Sequence, residues 1–98
     1  MSDAPLKVLL ARSDGLVIAD YLLGEGIYMI GSGAGAQLKV ETATELHARL
    51  EVRDGNFFIE DTSGSGGGTF LDGAAVLGRV RAYPGQTIQA GDCWIQLQ

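Results

Sequence analysis

Short apolar runs cut by glycine-centred turns, at a spacing of roughly 8 to 12 residues, constrain this chain more than any other feature, because that rhythm suits an all-β sandwich or barrel. Fifteen of the 98 residues are glycine and only two are proline, which places the breaks in tight turns. Long uninterrupted helical periodicity is absent. The candidate strands, in order, are 6–11, 16–23, 27–30, 37–40, 48–53, 57–60, 70–71, 79–83, 87–89 and 93–97. The clearest local signal is a hairpin: Ala48, Leu50 and Val52 alternate with Arg49, Glu51 and Arg53, the period of two of a strand with one wet face, and Asp54-Gly55-Asn56 then turns the chain into Phe57.

Ninety-eight residues suffice for one core but not for a cofactor lobe plus a substrate lobe. No apolar run approaches the ~18 to 20 residues of a membrane span, and the first eleven residues lack the pattern of a secretory signal. A cytoplasmic setting is therefore expected, and the lone Cys93 fits it. Twelve acidic against seven basic side chains leave a net charge of −5, which repels nucleic acid and anionic lipid at long range. Neither is an expected partner, and direct membrane insertion is not expected.

The loops between these strands carry a specific series: Gly31-Ser32, then Thr44-Glu45-Leu46-His47, then Asp61-Thr62-Ser63 leading to Gly68-Thr69, and finally Gly91-Asp92. Their order and spacing resemble a forkhead-associated (FHA) domain over residues 26–92, and the whole of 1–98 reads as one such domain, compatible with a place in a larger protein. The resemblance implies a β-sandwich of two antiparallel sheets with binding loops at one end, and a family whose usual ligand is a phosphothreonine peptide. It further implies that Gly31, His47, Asp61, Ser63, Gly68 and Thr69 brace the loops.

The departures from the family pattern fall where ligand is held. Ser32 stands in place of the phosphate-contacting arginine, Thr44 in place of a serine, Glu45 in place of a basic residue, and Gly67 in place of the asparagine that contacts the peptide backbone. Ser65 lies in the same glycine-rich loop, which is longer than the usual spacing. A guanidinium donates two parallel charge-assisted hydrogen bonds to phosphate, a geometry serine cannot reproduce. Glu45 adds repulsion, and Glu41 and Glu45 together favour basic partner segments.

Three functional readings follow. The first is a non-enzymatic protein-interaction module, phospho-independent, acting as a scaffold or as a regulatory appendage in a bacterial signalling protein, including the cytoplasmic part of a membrane-associated one. The second is phosphothreonine-peptide recognition by a rebuilt pocket, using hydroxyls, backbone N–H groups of the glycine-rich turns, and Arg79 or Arg81 swung in from a neighbouring loop. The third is a fragment of a nucleotide-binding enzyme, since Ile27 to Ile30 followed by Gly31-Ser32-Gly33-Ala34-Gly35-Ala36 matches the G-x-G-x-x-A fingerprint of a strand entering a helix. Against it stand the β-branched Val40, Thr42 and Thr44 in the helix it needs. No cofactor and no metal are expected: one histidine and one cysteine lack the paired spacing of a zinc site. His47, Asp61 and Ser63 supply the residue types of a catalytic triad but no nucleophile turn.

Overall fold

The alternation read along the chain becomes two packed β-sheets. A computed structural model describes residues 6–12, 14–40, 43, 46–63 and 68–98. The strands are β1 (Leu6–Arg12), β2 (Val17–Leu23), β3 (Gly26–Gly31), β4 (Leu38–Lys39), β5 (Ala48–Arg53), β6 (Asn56–Asp61), β7 (Thr69–Leu71), β8 (Ala74–Ala75), β9 (Arg79–Ala82), β10 (Thr87–Ala90) and β11 (Cys93–Leu97). One sheet runs β2-β1-β11-β10-β7-β8 and the other β4-β3-β5-β6-β9. All pairings are antiparallel except β3 with β4, where Ile30 lies opposite Leu38 and Gly31 opposite Lys39.

The fold class is therefore the all-β sandwich expected from the turn rhythm. No helix occurs among the described residues. Behind Gly31, where the dinucleotide fingerprint requires a helix, the chain instead closes a short turn and pairs Leu38 and Lys39 alongside β3. The turn is held by its own backbone, with Ala36 N donating to Gly33 O at 3.1 Å and Gln37 N to Met29 O at 3.0 Å.

Burial follows the pleat. On β5, Ala48, Leu50 and Val52 face inward, and on β11 so do Cys93, Ile95 and Leu97, while Arg53, Trp94 and Gln96 face water. Ile30, Leu38, Leu50, Ile59, Ile88 and Ile95 are wholly buried between the sheets. Each such side chain contributes about 1.5 to 3 kcal/mol on leaving water, which is what holds one sheet on the other. The hairpin forms as read: Arg53 pairs with Asn56, and Asp54 and Gly55 both have positive φ, 53° and 76°, the conformation that a two-residue loop needs to match the strand twist.

Candidate functional site

Three connections meet at one end of the sandwich: the turn after β3, the approach to β5, and the segment from β6 to β7. They are tied by the residue types that occur there. His47 N donates to Ile30 O at 2.8 Å, and Thr62 N donates to His47 O at 2.9 Å, so His47 bridges the end of β3 and the end of β6. The Thr62 hydroxyl donates to Leu46 O at 2.8 Å. The imidazole of His47, which is buried, then crosses to the third connection, its Nε2 lying 2.6 Å from Gly68 O. A carbonyl only accepts, so Nε2 carries the hydrogen.

Asp61 organises the same region through its carboxylate. Oδ1 accepts from the Thr69 hydroxyl at 2.7 Å and from Ser63 N at 3.3 Å, while Oδ2 accepts from the Ser63 hydroxyl at 3.0 Å. Thr69 is wholly buried, so Asp61 satisfies a hydroxyl that would otherwise lose its water without recompense. Partial burial of Asp61 opposes ionisation, but the hydrogen bonds from Thr69 and Ser63, with His47 nearby, outweigh it and hold the carboxyl below its ordinary range. Gly68 sits where a side chain cannot: a Cβ there would stand 2.9 Å from both His47 Nε2 and Ser63 Oγ.

Gly31, His47, Asp61, Ser63, Gly68 and Thr69 are thus brought together at one end. Ser32 follows β3 at the same end, partly exposed in the turn. Thr44, Glu45, Ser65 and Gly67, the other expected ligand-loop positions, lie outside the described residues, as does Glu41. The Ser63 hydroxyl donates to Asp61 Oδ2 and His47 Nε2 to Gly68 O, contacts other than the serine–histidine–aspartate relay of a catalytic triad.

Arg79 and Arg81, which the second reading offers as possible contributors, lie elsewhere. Both lie on β9, on the outer face of the five-stranded sheet, where Arg79 donates to Glu51 Oε1 and Arg81 to Asn56 Oδ1, each at 2.6 Å. Their guanidinium carbons also stand 4.1 Å from the Phe58 ring centre and 4.7 Å from that of Tyr83, respectively. An ion pair for Arg79, a neutral hydrogen bond for Arg81, and stacking for both hold them to the strand. The cation that does reach the turn was not legible in the sequence. Lys39 extends its ammonium to Gly33 O at 2.5 Å, a placement that follows from the parallel pairing of Gly31 with Lys39 and that no local motif connects.

A two-sheet β-sandwich whose loops are tied together at one end by a histidine and a carboxylate is an architecture that protein-interaction modules use. Comparison with known proteins specifies which one. The family model of the FHA domain matches residues 28–91, and the chain belongs to that family. It is 32% identical over 94 residues to the FHA domain-containing protein FhaB of Mycobacterium tuberculosis, an alignment covering 94% of this chain; the chain spans 60% of that relative's length. The FhaA FHA domain, solved in complex with the intracellular domain of Rv3910, superposes with a TM-score of 0.78 at 22% identity, covering 95% of this chain and 99% of that one. The FHA domain of CT664 from Chlamydia trachomatis gives a TM-score of 0.83 at 17% identity and 96% coverage of both chains.

Proposed function

We propose that this chain is a protein-interaction module whose loop end engages its partner without requiring a phosphothreonine, and that it works as a non-catalytic FHA module within a longer cytoplasmic protein. One observation carries the reading: the distribution of cations. Arg49, Arg53, Arg79 and Arg81 occupy a sheet face, Arg12 pairs with Asp14 at 2.8 Å, and among the described residues Lys39 alone brings a positive side chain to the Gly31–Gly35 turn. The residues at 41–45 and 64–67 are Glu, Thr, Ala, Gly and Ser, which supply no further cation.

A phosphate dianion would meet one ammonium, a point charge lacking the paired donors of a guanidinium. Each missing charge-assisted bond removes about 1.5 to 3 kcal/mol, roughly ten- to a hundredfold in affinity. Hydroxyls, open turns and acidic side chains are better matched to an unphosphorylated segment bearing basic residues. The presence of Lys39 favours one second reading, a rebuilt pocket in which its ammonium and the Ser32 hydroxyl take phosphate. Titration of the chain with a degenerate phosphothreonine peptide library and its unphosphorylated twin separates the two. Equal capture of both supports the module proposed; a preference for the phosphorylated library that Lys39→Ala abolishes supports the rebuilt pocket.

A further inference from the structure

Four of the chain's five arginines lie on one surface, the outward face of the five-stranded sheet. The register places Arg49, Glu60 and Arg79 in one cross-strand row, Glu51, Phe58 and Arg81 in the next, and Arg53 beside Asn56 in a third. Four guanidinium groups against Glu51 and Glu60 give these three rows a surplus of two positive charges, in a chain whose net charge is −5; Glu25, whose carboxylate accepts from Asp54 N at 2.8 Å, lies at their edge beside Arg53. The arginines of the chain are therefore concentrated on this face.

Three of these arginines are held in position by neighbours within the chain. Arg49 pairs with Glu60, Arg79 with Glu51, and Arg81 with Asn56, while Phe58 and Tyr83 support the two guanidinium planes on β9. The Arg79 hydrogen bond keeps the Glu51 carboxyl below its ordinary range, so that pair stays ionised. Each guanidinium has five N–H donors in a fixed fork, and the Arg53 side chain makes no hydrogen bond or close ion pair among the described residues, acting on Glu51 only through its charge. Outward donors therefore remain on an aromatic-backed surface, next to the exposed Ile27. Fixed arginine and aromatic side chains lose little freedom on binding, and these residue types concentrate at protein interfaces.

We infer that this sheet face is a second docking surface, distinct from the loop end, and that its occupant is an acidic protein segment whose Asp and Glu side chains complete the free guanidinium donors. Charge complementarity selects carboxylates. A long polyanion such as RNA, or an anionic bilayer, would also face the acidic remainder of the chain and be repelled by it. Engagement of both surfaces at once would let one partner, or two, be held by opposite charge at two sites.

The test is a fluorescence-anisotropy titration of the folded chain with a labelled Asp/Glu-rich peptide and its Asn/Gln counterpart, with NMR mapping of the bound form. The acidic peptide should bind, its neutral counterpart should not, and the shifts should fall on β5, β6 and β9. Arg53→Glu with Arg81→Glu should weaken binding about tenfold or more while leaving the circular dichroism unchanged, since close charge pairs carry couplings of that order. If that pair of changes unfolds the chain, Arg53→Gln alone, at a side chain with no hydrogen bond or close ion pair to lose, should still weaken it severalfold. Shifts confined to the loop end, binding indifferent to Arg53, equal affinity for single-stranded RNA or anionic vesicles, or occupation of the face by a second copy of the chain would each overturn the assignment.

Discussion

His47 and Gly68, 21 positions apart in the chain, are joined by a 2.6 Å hydrogen bond from the imidazole to the carbonyl oxygen, and the bond is possible only because Gly68 has no side chain. Any Cβ would press on both the ring and the Ser63 hydroxyl. Gly68→Ala is accordingly expected to destabilise the fold by about 1 to 3 kcal/mol, the usual cost of forcing atoms into a filled site. Urea unfolding of the variant measures it, and an unchanged midpoint would contradict the close approach.

Asp61 makes stability depend on pH. Its carboxyl is held below the ordinary value of 3.8 in the folded chain, so the folded state binds this proton less readily than the unfolded one. The contribution is complete above the unfolded-state value and is lost as pH falls through the folded one. Unfolding free energy should therefore decline as pH drops from about 5 towards 2, with a shallower decline in Asp61→Asn. At neutral pH the same variant should be less stable by about 1 to 3 kcal/mol, because Thr69 and Ser63 lose a charged acceptor. Identical pH profiles for the two proteins would remove this role for Asp61.

Ser32→Arg combined with Glu45→Arg restores guanidinium groups at two positions where the family has basic residues. The double variant should gain phosphothreonine-peptide affinity of about ten- to a hundredfold over the parent. Isothermal titration with one phosphorylated peptide and its unmodified form decides the matter. No gain in a folded double variant would mean that missing cations are not what sets ligand choice.

Phe57 is the largest wholly buried side chain, on the inward face of β6. Phe57→Ala should cost about 3 to 5 kcal/mol in chemical denaturation, through lost transfer energy and the cavity left behind. The neighbouring Phe58 faces outward beneath Arg79, and Phe58→Ala should cost clearly less. Equal losses would mean that the pleat has been assigned to the wrong faces.

The sandwich was legible because its signals are local. Alternation along Ala48 to Arg53, the Asp54-Gly55 turn, and the Gly91-Asp92 turn between Ala90 and Cys93 each specify a pairing within a few residues. The two-residue strand β8 was missed, since Ala74–Ala75 has no apolar alternation of its own and forms because Asp72-Gly73 turns the chain back on Phe70 and Leu71. The loop-end hydrogen bonds were accessible only through family resemblance. Nothing in the spacing of His47, Asp61 and Gly68 indicates that a ring nitrogen meets a carbonyl. Arg79 and Arg81 were open to misreading for the opposite reason: their place beside a flexible-looking turn suggested reach, whereas cross-strand neighbours Glu51, Asn56 and Phe58 determine where they lie.

Because Asp61 and His47 find Thr69, Ser63 and Gly68 as partners, the ties that join these connections belong to the chain itself. A substitution at Ser32, which takes no part in those ties, is therefore expected to leave the joined framework intact while altering the surface beside it.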